Sequence, residues 1–477
     1  MGAVVESVRP AVLRQTLPVV EEIRRLPLFL RSYAEDALYH HLCHGDVFYR
    51  RFGSRSLNFG HPRLVKHVLR TEVRNYVKSE HYRSLDALLG QGIFVSEGQL
   101  WTRQRRLLAP EFRAKEVERF VPLIVTEVER LCERWDAAAA AGEAVQVNSS
   151  MMELTLAVVG GAIFKTNFRP HAEVIAEAME ICLAQGTREM LSMGLLQSWM
   201  PTPGNRRARA ARDRFDDVVD ELIAASKSVS ESPRAGASEA GGCPFHGGGG
   251  GGPAGVDMVS RMLAARDDKG RPMSHQQVRD EVKSLILSGH ETTSLVLAWA
   301  MYLLTEHPEI ADRVRAEVEA VAGAGPLGAS EVERLVYTRQ VLLEAMRLYP
   351  PVPGVSREAV EDDEVDGIRV RAGEVVVISI YSVHRHPDFW DEPERFEPER
   401  FAPDRIEAIE PYAYLPFLRG RRACIGEHFA MLEAILAFAM IVSRYRFERS
   451  DDLPIGPRPM STLRMTNPLN VTLRRVD

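Results

Sequence analysis

Between Ser274 and Pro308 the chain runs without a proline and with a single glycine, Gly289. Ser274-x-x-Gln277 reads as a capping box that starts a helix, and Pro308 closes it. The interval predicts one helix of roughly 32 residues, about 48 Å long at 1.5 Å per residue. That is longer than a typical globular helix. Ser288, His290, Glu291, Thr292 and Thr293 interrupt it halfway along, which argues against a membrane span. Further helices follow: one from Pro308 to near Gly323, a short one capped by Ser330-x-x-Glu333, one from Thr338 to Leu348, and one from Glu427 to Arg444. Strand signals are few. Ile368 to Arg371, a turn at Ala372-Gly373 and Glu374 to Tyr381 read as a hairpin. Apolar runs near Val47 to Phe59 and Met465 to Leu473 add further strands. The fold class is mainly α with a small β region.

The chain has 477 residues, 45% of them hydrophobic, enough to bury a large core. Length alone would suggest about three domains. No linker divides the chain into such units, so residues 1–477 read as one large domain. Residues 228–255, with six consecutive glycines from Gly247 to Gly252, read as a flexible surface insertion. Cys243-Pro244-Phe245-His246 within it reads as inert, with a metal or haem-sensing motif as the alternative. A formal net charge of −6 carries no basic signature of nucleic-acid binding. Cys43, Cys132, Cys182, Cys243 and Cys424 are scattered without paired spacing, as in a reducing compartment. The first apolar segment, Leu13 to Tyr33, is broken by charges and prolines, so no transmembrane anchor is expected. The expectation is a cytoplasmic monomer.

Phe417-Leu418-Arg419-Gly420-Arg421-Arg422-Ala423-Cys424-Ile425-Gly426 stands directly before the last helix. A cysteine there meets backbone N–H groups and the positive end of the helix dipole, which favour a thiolate. Gly420 and Gly426 remove Cβ atoms that would obstruct a flat macrocycle. Arg422 has the reach of a propionate partner. A thiolate in this setting suits an axial ligand to haem iron.

The pattern Phe417-x-x-Gly420-x-Arg422-x-Cys424-x-Gly426 resembles the haem-binding loop of the cytochrome P450 family. Other motifs of that family recur in order, so the resemblance covers most of the chain. It implies haem b with Cys424 as the iron ligand, and a fold with the long central helix over the haem. Glu344-x-x-Arg347 and the Pro398-Glu399-Arg400-Phe401 segment resemble the family's ionic triad of Glu344, Arg347 and Arg400. Trp101-x-x-x-Arg105 and Arg357 resemble its propionate contacts. Ser288-Gly289-His290-Glu291-Thr292 resembles its oxygen-activation motif. It implies that Gly289 leaves room for dioxygen while Glu291 and Thr292 deliver protons. Ser288 departs from the usual small residue there.

The implied activity is a haem-thiolate monooxygenase acting on a lipophilic substrate such as a fatty acid, terpenoid, steroid or macrolide, with O2. A peroxide-driven or isomerase-type relative and a non-catalytic haem-thiolate sensor are the alternatives. The chain carries no flavin or iron–sulfur module, so electrons must come from a separate ferredoxin or flavodoxin-like donor with its reductase. Arg103, Arg106, Arg113, Lys115, Arg419 and Arg421 are expected around the cysteine side as its docking face. Substrate contacts are expected from Tyr82 to Val95 (Leu85, Leu88, Leu89, Ile93 and Phe94), from Leu183 to Trp199 (Met190, Leu195 and Leu196), and from Val352 to Val355 and Ser461 to Leu463.

Overall fold

The computed structural model describes residues 15–51, 55–164, 169–191, 200–231, 257–323 and 325–476. Seven helices carry the argument: α1 (Val19–Arg31), α2 (Tyr33–His44), α3 (Gly98–Leu108), α4 (Val147–Phe164), α5 (His275–Glu306), α6 (Val336–Leu348) and α7 (Glu427–Arg444). Helix α5 is the 32-residue element that the sequence foretells, and the Ser274 hydroxyl accepts from the Gln277 N–H at 3.2 Å to cap it. Most of its residues are buried, because α4, α6 and α7 all pack on it. Helix α4 is long and apolar enough to cross a bilayer by length and composition, yet 61% of its apolar window is buried inside the protein. Its closest packing is against α5.

The main sheet has six strands in the order Gln15–Thr16, Val47–Arg50, Ser56–Phe59, Val375–Ile378, Val355–Ala359 and Tyr76–Lys78. It places Lys78 opposite Arg357 across an antiparallel pair. A second sheet joins Tyr445–Arg449, Asn470–Arg475 and Val145–Gln146. The two-stranded ribbon Pro457–Pro459 with Leu463–Met465 lies against α5, where Trp299 Nε1 donates to the Leu463 carbonyl at 2.9 Å. Trp299 stacks on Tyr349, with ring centroids 3.8 Å apart.

Three expectations need correction. Ile368–Val370 pairs not with the following strand but with Asp363–Val365 before it. Asp366 and Gly367 both take positive φ, 54° and 77°, which builds the tight hairpin turn favoured by Asp-Gly. Val375–Ile378 is thereby free to join the main sheet. Ser330 does not cap the short helix, which runs Ala329–Arg334. Its start is held by Glu331 Oε2 accepting from the Gly328 N–H at 3.0 Å. Residues 228–231 end the helix Pro203–Glu231 instead of belonging to an insertion. The rest of that segment, with Cys243, His246 and the glycine run, lies outside the described residues.

Candidate functional site

The loop before α7 is fixed by its own backbone. The Cys424 N–H donates to the Phe417 carbonyl at 2.8 Å, and the Ala423 N–H to the Gly420 carbonyl at 3.1 Å. Gly420 has φ +83°, and a Cβ there would collide with the Leu69 carbonyl oxygen. Its glycine is therefore required by the protein's own packing, which corrects the macrocycle argument for that position. At Gly426 a Cβ would meet only Cys424 Sγ at 4.0 Å, so that side is open. Cys424 lies deep, and burial pushes its thiol up. The Gly426 N–H and the Arg105 guanidinium pull the other way without prevailing, so the free chain does not by itself favour the thiolate. A bound metal ion supplies that missing charge. The Cys424 side chain nonetheless keeps open surface.

Helix α5 offers a second open surface. Ser288, Gly289 and Thr292 are only half-buried, whereas His290, Glu291 and Thr293 between and beside them are buried. Spacings of three and four residues, Gly289 to Thr292 and Ser288 to Thr292, put the open positions on one helix face. Thr292 Oγ1 donates to the Ser288 carbonyl at 2.7 Å, and Ser288 Oγ to the Ser284 carbonyl at 2.7 Å. A Cβ on Gly289 would press on Val159 Cγ2 at 2.9 Å, so this glycine sets the close approach of α4. Glu291 turns away from the open face. Its Oε1 accepts from Thr462 Oγ1 and Arg464 Nε, each at 2.8 Å.

A cationic cluster borders the same region. Lys78, Arg357 and Arg422 act on one another electrostatically, and Glu97 answers them through one 2.6 Å pair with Arg422. Burial, only partly offset by Glu97, brings the Lys78 ammonium down to about 7, and Arg422 and Arg357 add to the fall. Lys78 Nζ donates to the Ile93 and Ser96 carbonyls at 3.0 and 2.9 Å. Arg357 makes 2.7 and 3.4 Å bonds to the Ser356 carbonyl and the Tyr82 hydroxyl. Arg422 Nε is buried without a hydrogen-bond partner, and its guanidinium lies over the Trp101 ring. Such a cluster calls for further anions. Two propionates, together with the open thiol and the half-open helix face, fit what these residues leave unmet. Haem therefore fits this site. Lys78 and Glu97 escaped the sequence reading, because a lone lysine in a strand has no spacing to mark it. Arg105 is placed differently from expectation, since its Nη1 donates to the Ala423 carbonyl at 2.8 Å and so braces the cysteine loop.

The triad forms, and it does more than pair charges. Arg347 makes two bonds of 2.7 and 2.8 Å to Glu344, and Arg400 Nε stands 3.4 Å from the same carboxylate. Arg347 also donates to the carbonyls of His384, Pro393 and Arg395. His384 completes the link to the cysteine loop. Its Nδ1 pairs with the Arg347 carbonyl at 3.2 Å and its Nε2 accepts from the Leu415 N–H at 2.7 Å. Those two bonds fix the neutral tautomer, and burial pushes the ring down to about 3.

Of the six cations expected on the donor face, two are compensated. Arg103 pairs with Asp267 at 2.9 Å and Arg106 pairs with Asp268. Arg113, Lys115, Arg419 and Arg421 are exposed. Arg103, Arg106, Arg421 and Arg422 share a cleft of about 680 Å³ beside Trp101. Among the expected substrate contacts, Leu88, Leu89, Val355 and Leu463 are core residues, while Leu85, Ile93, Phe94 and Val352 keep free surface. Leu195, Leu196 and the side chain of Met190 lie outside the described residues.

The cytochrome P450 family model matches residues 32–473. Cyclooctatin synthase of Streptomyces melanosporofaciens is 33% identical, over 88% of this chain and 87% of its own. Carotene epsilon-monooxygenase, chloroplastic, of Arabidopsis thaliana is 30% identical, over 86% of this chain and 75% of its own. The crystal structure of the cytochrome P450DA heme domain superposes with a TM-score of 0.82 at 24% identity, covering 98% of this chain and 97% of that one.

Proposed function

The chain belongs to the cytochrome P450 family of haem-thiolate oxidoreductases, and from that membership we propose that Cys424 is the iron ligand of a monooxygenase acting on a terpenoid-type substrate. Bound at Cys424, the haem supplies the binding and reductive activation of dioxygen. The chain's residues do the rest. Trp101, Lys78, Arg357 and Arg422 hold the haem carboxylates, and Arg105 braces the loop that carries the sulfur. Thr292 sits on the half-open face, and rotation about χ1 turns its hydroxyl from the Ser288 carbonyl into the cavity. Glu291 connects through Thr462 to the ribbon and through Arg464, 26% exposed, to the surface. Arg464 keeps its proton throughout, so it is the Glu291 carboxylate itself, turning from Arg464, that would carry protons to the neighbouring Thr292. The observation that carries this reading is the half-open Ser288, Gly289 and Thr292 face with a carboxylate tied to solvent beside it.

The apolar surfaces of Leu85, Ile93, Phe94 and Val352 favour a hydrocarbon ligand. The names of the two relatives support a terpenoid or carotenoid over the fatty acids, steroids and macrolides. Electrons come from a separate acidic ferredoxin or flavodoxin-like protein, and the reading includes a cytoplasmic monomer. The test joins a spectral screen of terpenoids, carotenoids and fatty acids to turnover under 18O2. One labelled oxygen per product, with a reductant required, is expected. Turnover on peroxide alone contradicts the monooxygenase, and a response limited to fatty acids contradicts the substrate class.

A further inference from the structure

Using none of the residues assigned to the haem site, α1 and α2 bring two imidazoles and a carboxylate to one point. His40 and His44 stand one turn apart on α2, and Glu21 comes from the first turn of α1. One ligand atom from each lies within 4.8 Å of the others. His44 Nε2 is 3.0 Å from Glu21 Oε1, and His40 Nδ1 is 3.7 Å from the same oxygen. Tetrahedral ligands about 2.1 Å from a cation stand roughly 3.4 Å apart, so the two separations straddle that spacing.

A second observation points the same way. His40 is completely buried, yet neither of its ring nitrogens has a hydrogen-bond partner. Native proteins rarely leave a buried polar ring in that state. On its far side, Nε2 lies 3.6 Å from Asp36 Oδ2. Asp36 is itself held by Arg50 at 2.6 Å and Arg25 at 3.1 Å. At 3.6 Å the approach of Asp36 to His40 is a charge contact and not a hydrogen bond, but a carboxylate behind the imidazole stands where the support of a metal-bound histidine is usually found.

We propose that Glu21, His40 and His44 form a binding site for a divalent transition cation of the zinc class. Two imidazoles and one carboxylate suit such a cation and not calcium or magnesium, which take oxygen ligands. Water fills the fourth position, on the side where Glu21 and His44 are part-exposed. The bound cation ties α1 to α2.

The experiment is equilibrium dialysis of the metal-stripped holoprotein against Zn2+, with zinc and iron measured separately by mass spectrometry. One zinc per haem iron is expected, with a rise in melting temperature. Glu21→Gln and His44→Ala, both at part-exposed positions, should each weaken binding at least tenfold while the haem spectrum stays unchanged. His275→Ala, at the remote start of α5, should bind as the wild type does. X-ray absorption at the zinc edge should show two imidazoles. Failure to retain zinc, or variants that bind like the wild type, overturns the site and leaves Glu21 and His44 as a plain ion pair.

Discussion

At the scale of single residues, what the motif spelled and what the structure does with it differ. Gly289 and Gly420 stand at the expected positions, but each is demanded by a neighbouring protein atom, Val159 or the Leu69 carbonyl. A motif records that a Cβ is forbidden and not what forbids it. Thr292 spends its hydroxyl on the Ser288 carbonyl, and Glu291 is bound to partners from the far end of the chain. Thr292→Ala should therefore leave substrate affinity nearly unchanged while more of the consumed reductant ends as hydrogen peroxide. Peroxide yield per NAD(P)H in the reconstituted system checks it, and an unchanged yield removes Thr292 from proton delivery. Glu291→Gln should slow turnover by about 10²-fold, within the range of a lost proton relay. Single-turnover rates at fixed substrate saturation measure this.

At the scale of elements, the clamp around Arg347 joins α6 to the cysteine loop through His384. Glu344, Arg347 and Arg400 were legible in the sequence because each sits in a spaced motif. His384 was not, since its two bonds run to backbone atoms that leave no residue-type signature. Removing one partner of a buried pair costs roughly 3–5 kcal/mol, so Glu344→Ala should yield protein with little haem, read from the ratio of Soret to protein absorbance. His384 also gives a pH dependence. Its folded value, about 3, lies below the 6.5 of a free imidazole, so the unfolded chain binds the extra proton first. The stability it contributes is complete above about pH 6.5 and is lost as pH falls toward 3. Wild type should lose melting temperature more steeply than His384→Gln across that window. Parallel profiles would detach His384 from acid stability.

At the scale of the whole molecule, the helices from Ser274 onward were readable from caps, prolines and periodicity, and α5 emerged with the length expected, whereas α1, α2 and α4 carry no such punctuation and were not read. Strand partners were harder, because pairing is a long-range choice and the Asp366-Gly367 turn redirects it. Net surface charge was harder still, because Asp267 and Asp268 reach Arg103 and Arg106 from a distant hairpin. The donor face proposed here rests on the exposed Arg113, Lys115, Arg419 and Arg421. Reduction by an acidic ferredoxin should slow with rising salt, and Arg419→Glu with Arg421→Glu should slow it further without loss of haem. Stopped-flow rates that ignore both salt and the double substitution would move the partner elsewhere. All of this depends on one bond, from Cys424 to iron. The ferrous carbon monoxide difference spectrum of wild type and Cys424→His measures it most directly. The wild type should show the red-shifted Soret band of a thiolate-bound haem, and the variant should lose that band. Its persistence in Cys424→His would contradict the assignment.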